Sequence, residues 1–292
     1  MVNILRMDLY RMIRSKSLWI CLGCIVFFIA LAAGLLAYAT SPAFLETMTA
    51  SGNAHIGISA GTNFGISTSD SAFTAGNIAE AQAMLTSTSQ ITFIGTMMIK
   101  GGALAMVFII FVAIFLGSEF ETGFSKNVFA SHPNRLAFLG ARLVEIVALA
   151  AVFTAVTIVS SLVSMAVTGF ELAPAPVGDM VLWAALVTLV ISAFAMITAL
   201  VIWVTRKMSA GIVVGVLLVS GMVSALIKAV LSLFPSVSHV GDFMLGSCME
   251  SLGTFGLNDP GALSVPHVAG VGLAFLVACT VLSAVALKKK DI

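Results

Sequence analysis

Apolar residues gather along this chain in long runs divided by short polar stretches. Six runs, at about 18–39, 97–117, 143–168, 180–204, 210–234 and 267–287, approach or exceed the ~20 predominantly apolar residues that a helix needs to cross the hydrocarbon core of a bilayer. Residues 1–17 follow a different pattern. Val2, Leu5, Leu9, Met12 and Ile13 recur at helical spacing, while Asn3, Asp8, Arg11, Arg14 and Ser15 populate the other side. This predicts a helix lying along the inner membrane surface, with its basic face toward anionic lipid and Arg11 and Arg14 as anchors.

The connections differ from one another. Residues 40–96 form a long outer loop rich in Gly, Ser, Thr and Ala, within which Asn77 and Glu80 make a capping box. That box predicts a helix running from 78 into the second span. Residues 235–266 mix Val240, Phe243, Met244, Leu245, Met249, Leu252 and Phe255 with Gly and Ser, which predicts a short helix re-entering the outer leaflet. "NDPG" at 258–261 turns the chain before the sixth run. In the fifth run Gly211 and Gly215 form a GxxxG, a close-packing surface for a helix of this chain or of another.

Charge supplies an orientation. Twelve of the 14 Lys and Arg residues fall at 1–17, 118–142, 206–207 and 288–290. The connections 40–96, 169–179 and 235–266 hold none, but carry Glu46, Asp70, Glu80, Glu171, Asp179, Asp242, Glu250 and Asp259. Basic loops stay in the cytoplasm, so both termini are expected there. Lys100 and Lys228 fall near outer span ends, with no acid one helical turn away, and are expected to reach the headgroups as anchors. Glu145 follows Arg142 by three residues, so a local pair explains it. No span reads as carrying a buried acid–base relay of the kind a proton-coupled transporter needs.

Composition narrows the class. The 292 residues are 60% hydrophobic and 9% charged, with mean hydropathy +1.12, whereas a soluble domain carries about 25% charged residues. The expected fold is an all-α polytopic membrane protein, with an interfacial helix at 1–17 and six spans within 18–292. A net charge of +1 points to no nucleic-acid partner. Cys21, Cys24 and Cys279 lie in apolar runs and Cys248 has no evident partner, so no disulfide framework is expected. The "AYA" at Ala37–Ala39 imitates a signal-peptide cleavage site, but the preceding run exceeds the usual apolar core of a leader.

Catalytic motifs are wanting. No Gly is followed by Lys, which excludes a P-loop, and none of the four histidines is followed by Glu, which excludes HExxH. "GISAG" at 57–61 matches GxSxG but lies in a Gly/Ser loop, not at a strand-to-helix elbow. No catalytic residue, metal site or cofactor is expected in this chain.

The stretch 117–142, "GSEFETGFSKNVFASHPNRLAFLGAR", carries the most informative polar pattern. Glu119, Phe120, Gly123, Lys126, Asn127, Arg135, Phe138 and Arg142 resemble the first cytoplasmic loop of ABC-2 type transporter permeases. The layout is similar to the permeases for bacitracin and lantibiotic self-protection. Phe124 stands where that family usually has Thr, and Pro133 is one place late. The resemblance implies that residues 118–142 form a coupling loop seated on a separate cytosolic ABC ATPase, which would bind ATP and Mg. Glu119, Phe120, Glu121, Gly123, Lys126 and Arg135 are its expected contacts. It further implies two ATPase copies, a second permease copy or a related permease, and a bacterial plasma membrane. The expected cargo, moved across or extracted from the bilayer, is a hydrophobic molecule or peptide such as an antibiotic or bacteriocin. A secondary transporter, and a membrane anchor or sensor without transport, remain as alternatives.

Overall fold

A computed structural model describes residues 2–39, 41, 89–122, 135–169, 172–257 and 261–289. Of these, 87% are helical, and no strand occurs among them. We label the helices α1 (Val2–Arg14), α2 (Lys16–Ala39), α3 (Gln90–Ile94, continued by a π-helical turn Gly95–Ile99), α4 (Ala103–Glu121), α5 (Arg135–Thr168), α6 (Val177–Thr205), α7 (Met208–Val219), α8 (Met222–Leu231), α9 (Leu245–Thr254) and α10 (Val265–Lys289). A 3₁₀ segment, Pro235–Phe243, joins α8 to α9.

Among the described residues, five helices (α2, α4, α5, α6 and α10) are long and apolar enough to cross a membrane. A sixth crossing requires counting α7 and α8 together, and these are bent by 50° at their junction. The run expected at 210–234 is therefore not one straight helix. Gly221, at φ 76°, makes the break, because a left-handed residue costs glycine nothing in side-chain clash. The expected second run, 97–117, is also divided: α3 and its π turn end at Ile99, and α4 begins only after Gly102, at φ 70°. The two breaks meet, since a Cβ on Gly102 would lie 2.7 Å from the Val219 side chain at the end of α7. The capping box at Asn77–Glu80 falls outside the described residues, as does most of "NDPG".

Helix α6 is the axis of the bundle, packed by α4, α5, α7, α9 and α10. Its span is 67% buried, against 22% for α2, which places α2 at the rim of the bundle. Close packing around α6 depends on small residues. A Cβ on Gly211 would approach Ile202 of α6 to 2.4 Å, and one on Gly215 would approach Ile109 of α4 to 2.4 Å. The GxxxG face is thus occupied within the chain. At the end opposite α1, Trp183 of α6 donates Nε1–H to the Leu252 carbonyl of α9 at 3.0 Å, and Gly95 packs on the Gly253 backbone.

Helix α5, at 34 residues, is about 51 Å long by the α-helical rise. This exceeds the ~30 Å hydrocarbon thickness, so the helix tilts, projects beyond the apolar layer, or both. Its first turns carry Arg142 and Glu145 and pack against α1.

Candidate functional site

The polar residues of α1 fall on two sides of the helix. Asp8 and Met12 are buried, with Arg11 partly so, whereas Leu9, Ile13, Tyr10, Arg6 and Arg14 are exposed. The face expected to meet lipid headgroups is divided: Asp8 and Arg11 turn inward, and the apolar pair Leu9 and Ile13 turns out. Arg11, expected as an interface anchor, is half-buried and turned toward the bundle. Arg14 remains exposed and donates to the Tyr10 hydroxyl at 2.9 Å. A sharp joint holds α1 against α2. Ser15 donates its hydroxyl to the Met12 carbonyl at 2.8 Å, and Trp19 of α2 donates Nε1–H to the Ile13 carbonyl at 2.9 Å. The Met12 carbonyl also accepts the Ser15 backbone N–H at 2.9 Å, and the Trp19 bond supplies a partner to a carbonyl in the last turn of α1.

Beneath α1 lies a cluster of ionisable side chains drawn from three helices. Arg142 of α5 is its centre and is only 1% exposed. One of its terminal nitrogens meets Glu119 of α4 at 2.5 Å and Asp8 of α1 at 3.2 Å; the other meets Glu145 at 2.5 Å. Arg11 bonds the same Glu119 oxygen as Arg142 and lies 3.9 Å from Asp8. The two guanidiniums share the Phe115 ring, at 4.4 Å from Arg11 and 5.5 Å from Arg142, and Phe138 lies 5.0 Å from Arg142. Planar, weakly hydrated guanidiniums suit such an aromatic, carboxylate-lined site better than ammonium groups would.

This changes two expectations. Glu119 does not present its carboxylate on a partner-facing surface; it is 2% exposed and spent on Arg11 and Arg142. The chain also does contain buried charge, at the end of its spans nearest α1. Phe120 is partly buried against the core. Gly123, Lys126, Asn127, His132 and Pro133 lie outside the described residues, as do the side chains of Glu121 and Arg135. Sequence reading paired Glu145 with Arg142 but missed Asp8 and Glu119 as partners of the same guanidinium. A signal was present: acids contribute little to membrane orientation, so Asp8, Glu119 and Glu145 among the topogenic basic residues needed another explanation.

Not every atom of the cluster is satisfied. Asp8 Oδ1, Arg142 Nε and Glu145 Oε1 are buried without a hydrogen-bond partner. Low dielectric strengthens the bonds that are made and raises the cost of those that are not.

The far end holds the other predicted anchors. Lys228 of α8 reaches Glu250 of α9 at 3.0 Å, both side chains being well exposed. An acid distant in sequence thus pairs with a lysine expected to be bound by headgroups alone. Lys100 sits at the break before α4, its backbone packed on Gly253. His267 contacts the Asp242 carbonyl at 3.0 Å through Nε2. Burial, with the Asp242 carboxylate adding to it, pushes the Cys248 thiol up to about 11. Among the described residues no three metal-ligating side chains come together.

No family model matches this chain, and no curated protein or solved structure matches it.

Proposed function

We propose that this chain is the membrane-spanning permease subunit of an ATP-binding-cassette exporter, driven by a separate cytosolic ATPase that grips residues 118–142. One observation carries the reading. The residues that bracket this connection, Glu119 and Arg142, are bonded to each other at 2.5 Å and jointly to Asp8 and Arg11 of α1. A force applied to the connection therefore reaches α1, α4 and α5 together, as one body packed against the α6 axis. Such a unit suits a chain that receives a mechanical stroke from outside. Glu119 acts in it as a strut within the subunit, which leaves Glu121, Lys126 and Arg135 as the groups for the ATPase surface. The resemblance of "EFETGFSKN" and "PNRLAFLGAR" to ABC-2 permeases supports the same assignment, as does the set of apolar helices. In this reading α1 and residues 118–142 face a bacterial cytoplasm, and a second permease copy completes the path for a hydrophobic or peptide cargo.

The test is co-expression with a candidate cytosolic ABC ATPase, followed by ATP turnover of the complex in lipid. Lys126→Glu is expected to weaken assembly. Glu119→Lys is expected to preserve assembly and to uncouple turnover from cargo. A Glu119→Lys complex with unchanged coupling would remove the strut, and labelling of residues 118–136 from outside the cell would remove the whole reading.

A secondary transporter is the second reading, favoured by the ionisable groups buried at the ends of the spans, since such groups commonly mark ion pathways. Transport by the purified chain alone, abolished by collapsing the proton gradient, would select it.

A further inference from the structure

Only Ser15 separates α1 from α2, and the apolar span of α2 begins at Lys16. The end of α1 therefore lies at the depth where lipid headgroups give way to acyl chains. The inner side of this elbow is apolar and packed, with Met12 and Leu18 buried in the core. Its outer side differs. Ile13, Trp19 and Ile20 are exposed at 53%, 63% and 63%, and Arg6, Arg14 and Lys16 are exposed beside them. Asp8, the single acid of the first 45 residues, is turned inward against Arg142. Among the described residues no acid pairs with Arg6, Arg14 or Lys16.

We infer that the outer side of the α1–α2 elbow binds an anionic phospholipid, its phosphate on Arg14 and Lys16 and one acyl chain along α2. Arg14 spends one donor on the Tyr10 hydroxyl at 2.9 Å, which steadies the guanidinium and leaves its other N–H groups for phosphate oxygens. Arg6 lies eight residues earlier, about 12 Å back along the helix, and meets a neighbouring headgroup.

The chain-binding part is a stripe of α2. Ile20, Gly23 and Phe27 follow Lys16 at helical spacing, and all four are exposed. A Cβ on Gly23 would meet no atom within 4 Å, so a notch lies between Ile20 and Phe27. Trp19 walls the elbow, its indole fixed by the bond from Nε1–H to the Ile13 carbonyl. Cations at the start of the span followed by apolar side chains along it match the order of a phospholipid, phosphate first and hydrocarbon after. An anionic headgroup is preferred to a zwitterionic one, because the ammonium of the latter would be repelled by the same three cations.

Sequence periodicity placed Arg11 on this basic face. Folding draws Arg11 to Glu119 and adds Lys16 and Trp19 from α2, which makes a site of two helices where a single helix face was expected. The inference does not rest on the exporter reading.

The experiment uses the full chain without an ATPase, so its outcome is separate from that of the exporter test. Nanodiscs contain phosphatidylcholine and phosphatidylglycerol, with one lipid or the other brominated. Bromine quenches tryptophan fluorescence at close range, and Trp183 and Trp203 are buried, so Trp19 reports the lipid beside the elbow. The expected result is a preference for brominated phosphatidylglycerol of about fivefold or more, the worth of a single cation at an anionic surface. It should weaken as salt is raised. It should approach parity in the double variant Arg14→Gln, Lys16→Gln, and persist in Arg14→Lys, Lys16→Arg and in Lys228→Gln. Equal quenching by the two lipids in the wild type overturns the inference, however the variants fold. So does a preference that survives the two Gln substitutions or Trp19→Phe. Quenching of Trp19 by neither lipid means that protein covers the elbow, and overturns it as well.

Discussion

Among the described residues Arg142 makes the most ion pairs, with Asp8, Glu119 and Glu145, and truncating it strands those partners. Arg142→Ala takes from Glu145 the guanidinium it bonds and leaves Asp8 and Glu119 to Arg11, and loss of one partner from a buried ionic cluster costs about 3–5 kcal/mol. Thermal unfolding of the chain in lipid should fall accordingly. Arg142→Lys should recover little, because the guanidinium bonds Glu119 and Glu145 through different nitrogens, both at 2.5 Å, and a single ammonium does not reproduce that fork. At the far end, Cys248 is a buried thiol held up to about 11. Its thiolate is scarce at neutral pH, so maleimide should leave it unmodified in the folded chain and label it after denaturation. The sign for stability follows: the folded state keeps the proton longer than the unfolded chain does. The contribution is fully present below the ordinary thiol range and is lost as pH rises toward about 11.

Glycines separate two kinds of helix contact. Gly215 lies where an added Cβ would sit 2.4 Å from Ile109 and 2.8 Å from the Thr198 hydroxyl. Gly215→Val should therefore push α7 off α4 and α6 at a cost of about 1–3 kcal/mol or more, the range for overpacking a filled core. Gly270 in α10 has nothing within 4 Å of such a Cβ. Gly270→Ala should be tolerated and, through helix propensity alone, should gain about 0.5–1 kcal/mol. Unfolding of the two variants under one detergent titration checks both. The GxxxG of α7 was legible as a close-packing surface, yet its partner was not, since the motif reads the same whether the opposing helix belongs to the chain or to a second copy. Residues Thr198, Ile202 and Ile109 answer the question because α7 returns between α4 and α6.

Across the molecule the charge distribution predicts which ends share a side. Reporters near Arg6 and Lys207 should be protected together from a membrane-impermeant reagent in intact cells, while one at Val240 should react. Reaction at all three would break the alternation of spans. The exposed Lys228–Glu250 pair should contribute no more than about 1 kcal/mol in a double-mutant cycle, so the far end is held by Trp183, Gly95 and Gly253 and not by its charges.

What the linear chain determined is what solvent sorts. Apolar runs longer than a bilayer is thick must be helical in lipid, because no water is present there to satisfy their backbone groups. That requirement made α2, α6 and α10 legible within a few residues, together with the helical periodicity of α1; α4 starts at Ala103 where the run began at 97, and α5 starts at Arg135, well before the run expected from 143, because its polar first turns carry no hydropathy signal. Two things were decided only by the tertiary structure. One is the break at Gly102 and Gly221, where hydropathy stays high across a turn of backbone that it does not register. The other is the ion cluster, whose members Arg11 and Glu119 are 108 residues apart. Read singly, Asp8 and Arg11 look like the solvated side of a surface helix and Arg142 like a topology marker. Only folding places them within a few ångströms of one another, and electrostatic energy depends on separation in space, not along the chain.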